Sequence, residues 1–420
     1  MTFPRIPLRR AARILNGGTP PSGVAEFWDG DVPFVTPPDL NGLDGAQLES
    51  TARTITAEGV AHSGLAPAGS VLLSTRAPIG HIGRLTSPAA FNQGCRALVP
   101  ARNHEARFLA YALVASRADM EARGLGTTFL ELSGSSLAQV GVPLAPLDEQ
   151  RAIADFLDRE TAQIDAFIAK NEELITLLTE RRAAVTAQAV TRGIDDSAVL
   201  KESGLGWLGS IPEDWEAVRV KFAVRSLPGF AFASGDFVAD SGATRLLRGI
   251  NVGVGSISWG ETVGIENPPA YVESRYMLDE GDLVLGMDRP VISGGLRVAR
   301  VGQRDAGTLL VQRVLRLRGA LVRNDYLEYS LAWGGFAMYI EPDFTGVSVP
   351  HMSEQQVGNF TIALPDLSTQ ARIVEYIRDQ HSAIDAALDA ARRSIDLMRE
   401  RRAALISAAV TGKIDVGVAA

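Results

Sequence analysis

Cysteine occurs once in the 420-residue chain, at Cys95, so no intramolecular disulfide can form. No stretch approaches the roughly 18 consecutive apolar residues of a membrane span. The N-terminal MTFPRIPLRRAARILNGG is basic but has no apolar run of the kind a signal peptide needs. The expectation is a soluble, cytoplasmic protein. Lysine is nearly absent: Lys170, Lys201, Lys221 and Lys413 are all there are. The residues two positions before them are Ile168, Val199, Arg219 and Thr411, none acidic, which excludes a PD-(D/E)xK nuclease motif. Gly412-Lys413 is followed by Ile414, so no P-loop is present. The histidines (62, 81, 104, 351 and 381) show no metal-ligand spacing, and no GxSxG elbow accompanies the serines. Asn267-Pro268-Pro269-Ala270-Tyr271 approaches the Asn-Pro-Pro-aromatic element of amino-methyltransferases, but Ala270 intervenes and no FxGxG-type cofactor loop is visible. It reads as a turn. Nothing points to catalysis.

The charge that is present is unevenly placed. The net charge of −8 argues mildly against a simple nucleic-acid binder. Yet residues 288–323 hold eight arginines against Asp288 and Asp305, and residues 76–107 hold five against Glu105. Arg76, Arg84 and Arg96 follow the apolar run GSVLL in the first half. Arg289, Arg297, Arg300, Arg304, Arg313, Arg316 and Arg318 follow GDLVL in the second. Arginine's planar fork suits phosphates and guanine edges, so these ten are the candidate DNA-binding residues. Thr75, Gln93 and Gln312 lie nearby and could read base edges, though a structural role is the expectation for each.

The chain also repeats itself. At an offset of 220 residues, 146–195 aligns with 366–415 without a gap, and 18 of 50 positions are identical. Leu147, Gln150, Ile153, Ile164, Asp165, Ile175 and Leu177 recur as Leu367, Gln370, Ile373, Ile384, Asp385, Ile395 and Leu397, and ERRAAVTAQAVTRGID recurs as ERRAALISAAVTGKID. This is an internal duplication. Neither copy contains Gly or Pro between 149–192 or 369–411, and both are rich in Ala, Leu, Glu and Arg, as helices are. Asp148 and Ser368 are the N-cap candidates, and Gly193 and Gly412 mark the far ends. The apolar rows Leu157, Ile164, Asn171, Leu178, Val185 and Ile377, Ile384, Ala391, Met398, Leu405 are spaced by sevens. Companion rows carry Ile168, Ile175, Ala189 and Val374, Leu388, Ile395, Ala409. Such narrow stripes suit a coiled-coil seam, and about 44 residues at 1.5 Å each span roughly 65 Å if unbroken. A kink near residue 160 is the alternative. Arg181, Arg182, Arg401 and Arg402 of the shared tail are either solvated or make helix-crossing or partner contacts. Between the helices lie mixed α/β globules with many short strands broken by Gly and Pro. Ala68–Leu73 resembles Glu280–Leu285, Phe108–Leu113 resembles Tyr326–Leu331, and Gly126–Leu147 lies over Gly346–Leu367. The expected boundaries are 1–145 for a first globule, 146–195 for a first spacer helix, 196–215 for a linker, 216–363 for a second globule and 364–415 for a second helix.

This order of globule, helix, globule, helix resembles the specificity subunit of type I restriction-modification systems. The text from DEQRAIADFLDRE to AVTRGID is similar to that family's helical regions, and GWLGSIPEDW, Gly206 to Trp215, resembles its entry to the second target-recognition domain. The resemblance implies an α/β protein with two target-recognition domains and two long helices packed as an antiparallel coiled coil, a pseudo-twofold repeat. It implies a non-catalytic chain in which each globule reads one half of a bipartite DNA target. The partners implied are double-stranded DNA, methyltransferase subunits and a motor-nuclease subunit. S-adenosylmethionine, ATP and magnesium would then sit on those partners and not on this chain. A coiled-coil scaffold joining two protein-binding globules is the alternative, against which the GWLGxIPxxW segment and the paired arginine-rich stretches count. Two expectations follow. Loss of Arg297 and Arg300 together should weaken DNA binding without unfolding the domain. Binding both half-sites at once demands a matched span. Inserting four residues near Leu177 should therefore change the gap between methylated half-sites and leave the half-sites themselves unchanged. Mapping methylated sites would show this, and an unaltered gap would refute the spacer role.

Overall fold

Apolar runs such as VLLST and LVLG lack the alternation of a half-exposed strand, which requires them to be covered on both faces. The computed structural model, which describes residues 2–76, 78–126, 130–239, 242–344 and 350–416, shows what covers them. The chain divides into two compact units, residues 1–172 with 391–420 and residues 173–390. In the first unit, the strands β1 (Ala12–Asn16), β2 (Trp28–Val35), β3 (Val71–Thr75), β4 (Ile79–Arg84), β5 (Ala89–Phe91) and β6 (Cys95–Pro100) precede the helix α1 (Ala106–Val114). One antiparallel sheet has the order β1-β6-β3-β4. A second joins Arg53–Ile55, β2, β5 and Gly64–Ala66, with β2 and β5 parallel. Along β3, Val71 and Leu73 enter one core with Leu109 and Leu113 of α1, while Leu72 enters another with Val35 and Phe91. The two-residue period of a strand thus feeds two cores at once.

The second unit repeats this plan. Among its strands are β7 (Val224–Pro228), β8 (Thr244–Leu247), β9 (Leu283–Gly286), β10 (Val298–Arg300), β11 (Leu309–Leu310) and β12 (Val314–Gly319), the last followed by the helix α3 (Asn324–Ala332). The order β7-β12-β9-β10 matches the first sheet, and β8 pairs parallel with β11 as β2 does with β5. The registers match residue by residue. Val71 faces Arg84 and Leu98; Leu283 faces Arg300 and Leu317. The correspondence of Gly126–Leu147 with Gly346–Leu367 falls partly on 127–129 and 346–349, outside the described residues.

The long helices α2 (Leu147–Thr191) and α4 (Leu367–Val410) each run as one unbroken stretch, without a break near residue 160. Both begin one residue before the expected caps. At α4 it is Asp366 that accepts from the Ser368 and Thr369 backbone N–H groups, at 2.8 and 3.1 Å. Hydrogen bonds from Ser368 and Thr369 hold its carboxyl far below the usual carboxylate range. Asp148 and Ser368 therefore lie inside the first turn. Gly193 and Gly412 follow the helix ends with φ of +82° and +72°, the left-handed conformation that stops a helix. Every residue of the heptad rows is buried or half-buried, with none exposed.

Within each unit the start of one long helix lies against the end of the other. In the first, Arg402 pairs with Asp165 at 3.3 Å and with Asp44 at 2.8 Å; in the second, Arg182 pairs with Asp385 at 3.2 Å. Burial alone would raise the Asp44 carboxyl, but Arg117 and Arg402 outweigh it and hold it below the ordinary range. Arg182 and Arg402 are equivalent in the repeat, as are Asp165 and Asp385, so the pairs are reciprocal, as an antiparallel duplicated helix pair requires. Arg182 and Arg402 are thus helix-crossing contacts, while Arg181 and Arg401 are exposed.

The repeated glutamines have a structural cause. Gln150, fully buried, accepts from Glu105 N at 2.9 Å and donates to the Ala145 and Asn103 carbonyls. Gln370, also fully buried, accepts from Arg323 N at 2.8 Å and donates to the Pro365 carbonyl at 2.8 Å. Each amide fastens a long helix to the start of its globule's own helix, α1 or α3. Truncation strands a buried N–H and at least one carbonyl. Gln150→Ala or Gln370→Ala should each lower stability by about 2 kcal/mol in urea unfolding. Arg181→Ala on the exposed helix face should stay within about 0.5 kcal/mol of wild type.

Candidate nucleic-acid interface

The matched registers place two short turns at equivalent positions. In the first unit Asn92–Gly94 joins β5 to β6; in the second Val311–Arg313 joins β11 to β12. Each turn is braced alike. Asn92 N donates to Val35 O at 3.0 Å and Val311 N to Leu247 O at 3.1 Å. Gly18 N donates to Phe91 O and Phe230 N to Leu310 O, both at 3.0 Å. Gly17 and Gly229 permit this approach. A β-carbon on either would lie 2.1 Å from the carbonyl oxygen of Asn92 or Val311, a clash only glycine avoids. At the middle of each turn stands an exposed glutamine, Gln93 or Gln312.

The candidate arginines divide by surroundings. Beside the first turn, the Arg76 Nε lies 3.1 Å from where a Gly94 β-carbon would be, and Arg96 donates to the Gln93 and Cys95 carbonyls at 2.9 and 3.0 Å. Arg84 is directed to the far end of β4, donating to Gly45 O at 2.6 Å and standing 3.5 Å from Asp158 of α2. Beside the second turn, Arg289 and Arg313 are both exposed and both have positive φ, +44° and +71°. Arg313 lies 3.1 Å from the His351 ring nitrogens and 3.8 Å from Asp288, and His351 Nδ1 is 2.7 Å from that same carboxylate. Unfavourable backbone angles at two neighbouring arginines are the kind of cost found at binding sites. A cleft of about 620 Å³ opens here, walled by Phe232, Phe237, Arg248, Ile250, Gln312 and Arg313.

Arg297 lines the same cleft with its donors already engaged: Nε to Val252 O at 2.9 Å, Nη1 to Asp288 O at 2.7 Å, and Nη2 to Gly249 O. Burial lowers its pKa. Without Arg297 three carbonyls would lose their donor, so its loss lowers the stability of the domain as well as altering the cleft. Arg316 is held in the same manner on the Met277 and Arg275 carbonyls at 3.2 and 3.3 Å, and burial, with Arg318 beside it, lowers its pKa. Arg318 is salt-bridged to Asp282 and Asp279, and the Asp282 hydrogen bond raises its pKa. Arg300 occupies the register position of Arg84 and stands 3.8 Å from Glu328 of α3. Arg304 is 77% exposed, 3.6 Å from Asp305, on the loop after β10.

Gln93 and Gln312, for which the sequence suggests a structural role ahead of base reading, stand on the turns that the structure makes equivalent. Gln93 and Gln312 lack the charge that drew attention to the arginines; their signal was a glutamine three residues before Arg96 and one before Arg313. Thr75 is fully buried and donates to Gly94 O at 3.2 Å, bracing the turn from behind. Cys95 lies buried next to it, and burial pushes its thiol up to about 12, so it is no nucleophile at neutral pH. Asn267 adopts φ +48° and Pro269 precedes the short helix Ala270–Tyr276, a turn leading into a helix. Among the described residues no group of His, Cys, Asp and Glu could hold a metal ion, and no helix is long and apolar enough to cross a membrane.

Known proteins are similar to this chain in sequence and in fold. Residues 12–176 match the family described as the type I restriction modification DNA specificity domain. The MjaVIII type I restriction enzyme specificity subunit of Methanocaldococcus jannaschii is 26% identical over 313 residues, 74% of this chain and 70% of that one. The EcoAI specificity subunit of Escherichia coli is 32% identical over 212 residues, 49% of this chain and 35% of that one. The fold is similar to a chain solved in a type I R-M system assembly, with a TM-score of 0.75, 14% identity and 98% of both chains covered. It is also similar to the HsdS subunit from Thermoanaerobacter tengcongensis, with a TM-score of 0.57, 16% identity and coverage of 98% and 97%.

The two kinds of arginine are separable by stability. Arg297→Ala should cost about 2 kcal/mol in urea unfolding, since it leaves buried acceptors unpaired. Arg304→Ala should remain within about 0.5 kcal/mol of wild type. Equal effects would contradict the assignment of Arg297 to the scaffold.

Proposed function

We propose that this chain, which belongs to the specificity subunits of type I restriction-modification systems, is the DNA-reading and non-catalytic component of such a system, with one half-site read at the β5–β6 turn and the other at the β11–β12 turn. The observation that carries this reading is the pair of braced, equivalent turns, each with an exposed glutamine and a neighbouring arginine. At each of these turns an amide and guanidinium groups gather, the donors that suit base edges and phosphates. The units are taken to correspond to target-recognition domains at 1–145 and 216–363, with the helices of 146–195 and 364–415 as spacer and 196–215 as linker. Methyltransferase and motor-nuclease subunits are the protein partners of this reading, and S-adenosylmethionine, ATP and magnesium are assigned to them. The overall acidity is compatible, because the positive charge that meets DNA is local.

Among the ten arginines, Arg76, Arg96, Arg289, Arg304 and Arg313 are the ones proposed to face DNA. Arg84, Arg297, Arg300, Arg316 and Arg318 are proposed to hold the frame. Phosphate contacts release counterions, at about 0.9 per contact on the slope of log affinity against log salt. In the complex with the methyltransferase subunit, the double variant Arg289→Gln/Arg313→Gln should bind its target duplex more weakly and flatten that slope by roughly 1 to 2. Fluorescence anisotropy across a salt series measures both. Wild-type affinity with an unchanged slope would contradict the placement of DNA at this turn.

A further inference from the structure

We infer that Gln93 and Gln312 are specificity-determining residues, each reading one adenine in its own half-site through a two-point amide contact in the major groove; the inference rests on the DNA-reading assignment above.

The backbone argument comes first. Val314 faces Gly286 as Cys95 faces Ser74, so counting back from either strand brings Gln312 and Gln93 to the same place. A side chain that reads a base must be carried on a rigid support, because a loosely held donor pair loses its selectivity. Both turns meet this need. Gln312 N donates to Phe230 O at 2.9 Å, Gly94 N is held by the Asn92 side chain at 2.9 Å, and Cys95 N returns to Asn92 O at 3.1 Å. The close glycine contacts at Gly17 and Gly229 lock both turns from the side. The backbone is fixed and only the glutamine side chain projects.

The chemistry of the neighbours follows the same plan by different means. In the first unit the guanidinium beside the turn comes from Arg76, over Gly94. In the second, Asp288 occupies the position equivalent to Arg76, and Arg313 replaces Gly94. The positive charge has moved onto the turn itself and Asp288 has become its brace, with His351. Each turn therefore presents one neutral amide with guanidinium groups beside it, although the residues supplying the charge differ. The guanidinium serves phosphate or guanine. The amide adds nothing to phosphate attraction, but it offers one acceptor and one donor on adjacent atoms, the complement of adenine N6–H and N7. The Thr19 hydroxyl donates to Gln93 Oε1 and orients that amide, leaving its NH₂ group outward and a second lone pair on the oxygen.

The test uses the intact complex with the methyltransferase subunit and a panel of duplexes in which each base pair of the recognised site is replaced in turn. Wild type should prefer adenine at one position in each half-site, and replacing that adenine by 7-deazaadenine should weaken binding. Gln312→Ala should reduce the preference roughly 5- to 150-fold at one position of one half-site and become insensitive to 7-deazaadenine there. Gln93→Ala should do the same in the other half-site only. Gln312→Glu, which keeps the shape and exchanges the donor for an acceptor, should shift the preference at that position from adenine toward cytosine. If wild type discriminates among the duplexes but both alanine variants keep its full pattern, or weaken all duplexes equally, the glutamine assignment is wrong and the DNA-reading assignment stands. If wild type binds every duplex alike, both fail.

Discussion

Neither unit can complete its core without chain from far along the sequence. Ile406, Ala409 and Val410, near the end of α4, pack with Phe108 and Tyr111 of α1 and with Ile153 and Leu157 of α2. In the second unit, Ala189 and Val190 at the end of α2 join Tyr326, Leu327, Ile373 and Ile377, and the Tyr326 hydroxyl donates to Val190 O at 3.2 Å. Each helix therefore starts by closing the core of the globule before it and ends in the core of the other globule. Burial of these side chains is the dominant favourable contribution to such closure, and it ties the folding of each globule to both helices. The helices are part of both cores, which is why their sequence repeats while the sheets have drifted apart.

That constraint explains what was legible in the sequence. The helical seam was readable because a seven-residue apolar period has one structural meaning over forty residues, and reciprocal burial preserved it in both copies. Gln150 and Gln370 were visible as identities, but their task depends on carbonyls at Ala145 and Pro365 and on N–H groups at Glu105 and Arg323, which only tertiary structure brings near. The cap of α4 lies two residues before the expected one because Ser and Asp are both good caps, and the choice of Asp366 over Ser368 depends on where the preceding strand ends.

The arginines were harder for a physical reason. Their abundance after GSVLL and GDLVL was plain, but a strand sends successive side chains to opposite faces, and only the pairing register says which face is which. Arg96 and Leu315 share a position, as do Ala97 and Arg316, so counting arginines in the two halves compares residues that are not equivalent. Arg318 is claimed by Asp279 and Asp282, nearly forty residues away. Gln93 and Gln312 carry no charge to mark them in the sequence, and only the register shows that these exposed side chains occupy the same place in both units.

Matched registers and shared helices make the globules interchangeable reading heads on a common helical frame. This is tested most directly by a chain in which residues 216–363 also replace residues 1–145, assembled with the methyltransferase subunit, followed by mapping of the methylated DNA sites. The expected sites carry the second half-sequence at both ends, with the original gap. Retention of the first half-sequence, or loss of all recognition by a complex that still assembles, would contradict it.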